Sequence, residues 1–195
     1  PLKGCALALS QPLTSPLALT VTIERFPIAG SFSISRGAKT EAVVVVAELS
    51  DGRARGRGEC VPYARYGESV ETVTAAMDTM RAALADGLDR AGLQKAMPAG
   101  AARNALDCAF WDFEAKRSGR RVFALAGLPA PKPLTTAFTI SLSDPQTMAD
   151  SAARAASRPL LKIKLGGSAE HGGDPARIAA VRRAAPDVTL VVDAN

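Results

Sequence analysis

Cysteine is scarce in this chain of 195 residues: there are three, an odd number with no paired spacing. That usage argues against a disulfide framework and fits reduced thiols in a cytoplasmic setting. Long apolar runs are missing too. None approaches the length that spans a bilayer, so no membrane partner is expected. Histidine occurs once, as His171 in the Gly-rich loop from Gly166 to Gly173, where it reads as a solvated residue rather than a base or ligand. The net charge is +5, yet the arginines are scattered, and no basic run interleaved with aromatics is present. Nucleic acid is therefore not an expected partner.

What is present is ordinary for a globular protein, with 47% hydrophobic and 22% charged residues. One or two domains are expected. Residues 1–18 have no clear periodicity, carry Pro12 and Pro16, and read as an N-terminal extension. Leu2-Lys3-Gly4-Cys5 has the look of a lipoprotein cleavage box, but no hydrophobic signal precedes it.

From Leu19 to Phe26 the residues alternate as a strand. Ile28 to Lys39 follows as a loop, Glu41 to Leu49 as a second strand, and Asp51-Gly52 as a hairpin turn into a third from Ala54 to Cys60. Gly52, Gly56 and Gly58 read as turn and strand glycines, because no helix opens on them at dinucleotide spacing. Ser69 caps a helix whose stripe is Val70, Val73, Met77, Met80 and Leu84. Asp89 to Met97 and Gly100 to Ser118 are further helices, the last ending at Gly119. This is an α+β unit, and the proline-rich stretch from Pro129 to Pro133 marks its end. Domain boundaries of 19–131 and 132–195 follow.

The second part reads β-α-β-α-β: Thr135 to Leu142, Asp144 to Ser157, Leu160 to Leu165, Asp174 to Ala185, and Thr189 to Asn195. Asp174 is the expected N-cap of its helix, with Pro175 at the first position and Ile178, Val181 and Arg182 at helical spacing. Strand-helix-strand units of this length call for parallel strands. The expected fold is thus α/β and α+β: a capping domain, then the first three strands of a (β/α)₈ barrel, with the chain ending before the barrel closes.

Leu160-Leu161-Lys162-Ile163-Lys164-Leu165 organises this half. Side chains two apart share a face of a strand, so Lys162 and Lys164 point one way, and Leu161, Ile163 and Leu165 the other. Mutual repulsion and resistance to desolvation favour a neutral amine, the form that takes a proton. The alternative is an edge strand whose lysines face water. With parallel strands, the lysines and Asp193 lie towards one carboxyl edge, where barrel enzymes place their chemistry. A carboxylate there suits a divalent cation; taken alone, Asp193 also suits a helix cap.

The Lys-x-Lys strand, the Val192-Asp193-Ala194-Asn195 strand end and the preceding α+β segment resemble the enolase superfamily, muconate-lactonising subgroup. Within it, Arg36-Gly37, the run from Gly58 to Ser69, and Leu93-Gln94-Lys95 through Pro98 to Cys108 are most similar to bacterial dipeptide epimerases acting on L-Ala-D/L-Glu. The resemblance implies a cytoplasmic isomerase that uses Mg²⁺ to stabilise an enediolate formed by removing an alpha proton, with a place in murein peptide recycling. It implies Lys164 as acid/base, Lys162 as electrostatic support in contact with the substrate carboxylate, and Asp193 as a metal ligand. Two more ligands and an opposing base would come from later strands. Arg36 is the candidate for pairing a glutamate carboxylate, its alternative being a solvated loop arginine. Tyr63, Arg65 and Tyr66 lie on a loop that closes over substrate or packs locally. Thr139 is placed to hydrogen-bond substrate, and Asn195 either orients the site or begins the next loop. The expected partner is a small acidic dipeptide, with a homo-oligomer also open. Cycloisomerase, o-succinylbenzoate synthase and N-acyl amino acid racemase activities remain alternatives, as does a non-catalytic fragment.

Overall fold

The computed structural model describes residues 16–34 and 37–194. The extension over residues 1–15, Arg36 and Asn195 lie outside them. Two compact units are present, one from residues 16–25 with 43–131, the other from 26–42 with 132–194.

Strands β1 (Ala18–Ile34), β2 (Gly37–Ser50) and β3 (Arg55–Cys60) form one sheet in that order. Leu17, just before β1, is already buried. The expected loop from Ile28 to Lys39 is instead mostly strand. Pro27 and the Gly/Ser residues after it suggest a break, but β1 is an edge strand, where a missing N–H is tolerated. Strands β2 and β3 pair antiparallel from Val45 opposite Cys60 to Ser50 opposite Arg55. At the turn between them, the Asp51 carboxylate accepts from the amides of Arg53 at 2.9 Å and Ala54 at 2.8 Å. These bonds hold its pKa below the usual carboxylate value.

Five helices follow: α1 (Val70–Asp78), α2 (Arg81–Ala85), α3 (Arg90–Ala96), α4 (Ala101–Ser118) and α5 (Val122–Leu125). Ser69 and Thr72 form a reciprocal capping box at α1. The single helix expected from Ser69 is broken at Thr79-Met80. There the Thr79 hydroxyl donates to the Ala76 carbonyl at 2.7 Å, a local bond that competes with helix continuation. The expected stripe nevertheless reaches the core through Val73, Met77 and Leu84.

Helix α4 lies on β3 through Ala105, Leu106, Ala109, Phe110 and Phe113, all buried. Its close approach depends on glycine. A Cβ at Gly56 would run into the backbone of Ala109 and Phe113, and one at Gly58 into the backbone of Ala105 and Ala109.

In the second unit β4 (Phe138–Ile140), β5 (Leu160–Lys164) and β6 (Thr189–Asp193) form a parallel sheet in that order, the opening strands of a barrel. The expected first barrel strand over Thr135 to Leu142 shrinks to three residues. Because β5 is the middle strand, the edge-strand reading of its lysines is overturned. Helix α6 (Pro145–Arg154) starts as expected, with Asp144 as N-cap and Pro145 at the first position. Ile140, Leu161, Ile163 and Leu165 pack with Met148, Ala152, Val181 and Ala185 into one core.

Helix α7 (Gly173–Ala184) departs from expectation. Its N-cap is Gly172, with Asp174 inside the first turn. The Asp174 carboxylate is engaged instead with the Gly166 amide at 3.0 Å and Arg177 at 3.1 Å. Arg182 does not belong to the buried stripe; Arg177, Ala180 and Val181 do. Arg182 turns outward, and its Nη1 donates to the carbonyls of Pro186 and Val188 at 2.8 Å each.

Candidate active site

Two ammonium groups and one carboxylate meet at the carboxyl end of the parallel sheet. Alternation along β5 buries Leu161 and Ile163 against the helices and turns Lys162 and Lys164 to the opposite face. Register then places Asp193 of β6 directly beside Lys164. Its Oδ2 accepts from Lys162 Nζ at 2.8 Å and from Lys164 Nζ at 2.7 Å. The expected repulsion between the lysines is therefore offset by a carboxylate bound to both. Lys164 is the more enclosed, its side chain 13% exposed against 38% for Lys162. Thr139 of β4 is the register partner of Lys162 and is half-buried, so it joins the same row across the sheet.

The carboxylate of Asp193 is a hard oxygen donor of the kind Mg²⁺ prefers. Among the described residues no group of three His, Cys, Asp or Glu converges to hold an ion. Asp193 is thus a donor that could take one position of a divalent site, and the described residues bring no further carboxylates to it.

Tyr63, Arg65 and Tyr66 form a separate group in the first unit. A short 3₁₀ turn over Ala64–Tyr66 places the two tyrosine rings 5.6 Å apart, and Gly67 closes it at φ +73°. Tyr66 and Arg65 are exposed. The turn borders a cleft of about 530 Å³, lined in part by Cys60, Tyr63, Tyr66, Glu68 and Asn104. Glu68 anchors it: one carboxylate oxygen accepts from the Ala101 amide at 2.6 Å, the other from the Tyr63 amide at 3.3 Å. A carboxylate at the start of α4 also complements the helix dipole. Burial raises the Cys60 thiol beside it to about 11, and the Glu68 charge adds to that.

Sequence reasoning passed over two residues. Glu68 carried a weak signal, an acid just before a helix N-cap. Arg177 carried none, since an arginine on a predicted helix reads as solvated.

This arrangement defines the class of protein. The chain belongs to the mandelate racemase/muconate lactonizing enzyme family of the enolase superfamily, whose N-terminal domain matches residues 17–127. The L-Ala-D/L-Glu epimerase of Escherichia coli (strain K12) is 45% identical over 174 residues, 88% of this chain and 53% of that protein. A crystal structure of an enolase family member from Agrobacterium tumefaciens, with homology to dipeptide epimerases and with sodium and L-Ala-L-Glu bound, is 54% identical. It covers 92% of this chain and 54% of its own, with a TM-score of 0.84. The dipeptide epimerase of Cytophaga hutchinsonii, complexed with Mg and D-Ala-L-Val, is 27% identical with a TM-score of 0.79, covering 92% of this chain and 52% of its own. The chain spans about half the length of the relatives it matches.

Proposed function

We propose that these residues serve a dipeptide epimerase that inverts the alpha carbon of an L-Ala-D/L-Glu-type substrate, as in the recycling of murein peptides. The observation that carries this reading is the convergence of Lys162 and Lys164 on Asp193. In it Lys164, the more enclosed amine, is the acid/base on one face of the alpha carbon. It takes the proton from one epimer, the opposing base protonates the other face, and in the reverse direction Lys164 delivers the proton. Lys162 holds the substrate carboxylate and balances its charge. Asp193 holds Mg²⁺ together with ligands from later strands, and that ion supplies stabilisation of the negative charge that builds on the substrate carboxylate. The opposing base belongs to those later strands as well. Thr139 hydrogen-bonds substrate. Arg36 pairs the glutamate side chain, Asn195 orients the site, and Tyr63, Arg65 and Tyr66 close over it. Residues 19–131 act as the capping domain and 132–195 as the first part of the barrel.

The test is solvent deuterium exchange at the alpha carbon of L-Ala-L-Glu, using the natural polypeptide that carries these residues, with Mg²⁺ added. Wild type should exchange the proton, and Lys164→Ala should lose exchange on one epimer by about 10³-fold, within the range of about 10²–10⁴ that a positioned acid or base contributes. Full exchange on both epimers by Lys164→Ala would remove the base assignment.

A further inference from the structure

A charged side chain taken out of water is costly unless its donors are answered. Arg177 on α7 is 4% exposed, a charged residue buried in the second unit. Its Nε donates to the Ser143 carbonyl at 2.8 Å, and its Nη1 to the Ser168 carbonyl at 3.0 Å and to Asp174 Oδ1 at 3.1 Å. Ser143 follows β4 and Ser168 follows β5, so one guanidinium ties the carboxyl-end loops of two adjacent parallel strands.

The tie reaches the lysine strand through Asp174, whose other oxygen accepts from the Gly166 amide at 3.0 Å. That amide lies two residues beyond Lys164. The intervening Leu165 amide donates to the Asp193 carbonyl at 3.0 Å. The end of β5 is therefore held twice, by β6 and by the Asp174–Arg177 pair. Gly167 completes the seat, since a Cβ there would lie 3.1 Å from Arg177 Nη2 and 3.2 Å from its Cζ. Bare backbone at 167 lets the guanidinium rest against the loop. This explains the second glycine after the lysine strand, which its own φ does not require.

We propose that Arg177 is a positioning residue: through Asp174 and the Ser143 and Ser168 carbonyls it sets where the β5 strand end, and with it the Lys164 amine, stands. The catalytic consequence rests on the proton-transfer role given to Lys164 above. The acceptors are divided between Nε and Nη1 of one rigid plane. A lysine has three donors too, but all on one nitrogen at the end of a flexible stem, so it cannot span both positions.

The experiment compares Arg177→Lys and Asp174→Asn with Arg183→Met, which alters an exposed arginine of the same helix, all in the natural polypeptide. Arg177→Lys should lower kcat for alpha-proton exchange about 100-fold, the cost of a misplacement of about 1 Å, with KM changed less than about threefold. Asp174→Asn keeps an acceptor for the Gly166 amide but loses the ion pair, and should fall between. Amide hydrogen exchange over residues 166–168 should quicken in Arg177→Lys, while the middle of α6 stays protected. Retained kcat in Arg177→Lys, or a loss confined to KM, overturns the inference while the function stands. If wild type itself exchanges no alpha proton, the proposed function fails and hydrogen exchange alone decides. Unaltered protection at residues 166–168 in Arg177→Lys then overturns the tie, and faster exchange there upholds it.

Discussion

Replacing Gly58 with alanine should damage this protein far more than a single methyl group suggests. The new Cβ would fall inside the Ala105 carbonyl and the Ala109 amide, and 2.8 Å from the Cβ of Cys108. Carbon atoms pack at about 3.5–4.0 Å, so relief requires α4 to withdraw from β3 by about 1 Å. The obstacles are backbone atoms of an 18-residue helix, which no rotamer change can clear. Overpacking of a core costs about 1–3 kcal/mol, and a backbone obstacle puts this site near about 3. Alanine restricts the unfolded chain and returns about 1 kcal/mol at most, leaving a net loss of about 2. Urea unfolding followed by far-UV circular dichroism and by the emission of Trp111, which lies on α4, measures the loss. Gly52→Ala is the control, since Gly52 has φ +84° and nothing within 4 Å of an added Cβ. It should cost only the left-handed backbone strain of about 1 kcal/mol. A Gly58→Ala midpoint within about 0.5 kcal/mol of wild type, or a Gly52→Ala loss larger than that of Gly58→Ala, would refute the close-approach argument.

Two further outcomes test other contacts. The Cys60 thiol has an ordinary pKa of 9.0 when unfolded and about 11 when folded, chiefly through burial. Its contribution to stability is thus fully present below pH 9 and lost as pH rises towards 11. Denaturation midpoints across that range should fall in wild type and fall less in Cys60→Ala; equal slopes would count against the burial argument. Arg90 stacks over Trp111 with its Cζ 3.5 Å from the ring centroid while its Nε meets Glu114 at 3.1 Å. Arg90→Ala should therefore shift Trp111 emission to longer wavelength and cost about 1 kcal/mol in urea. An unshifted spectrum would mean the ring is covered without it.

Where local chemistry and tertiary fate agreed, elements could be read directly. The alternation of Leu161 and Ile163 with Lys162 and Lys164 announces a strand with two unlike faces. Asp144-Pro145 and Ser69 announce helix starts because their caps are satisfied within one turn. The break at Thr79 was hidden inside an unbroken apolar stripe. The loop expected over Ile28 to Lys39 is mostly strand, because an edge strand accommodates glycine and serine that an interior strand would not. The bridging of Asp193 to both lysines depends on strand register, which appears in no single segment. Asp174 was misplaced for a related reason. An acid before proline is a good cap in isolation, and only the distant Gly166 amide and the buried Arg177 draw it into another role.

The ribbon of β1 and β2 begins in one compact unit and has its far end, residues 26–42, in the other. The second unit is therefore discontinuous in sequence. Its Leu142 amide donates to the Ser33 carbonyl at 3.1 Å, an acceptor supplied more than a hundred residues earlier. A gene cut at the proline-rich stretch would sever one of the three chain crossings between the units and leave residues 132–194 without residues 26–42 of their own unit. During synthesis residues 26–42 emerge before α1 through α5, and the rest of their unit only after them. Recombination that exchanges capping domains among relatives would face the same constraint. A swapped segment ending at residue 131 carries the hairpin tip with it and must bring one that fits the new barrel.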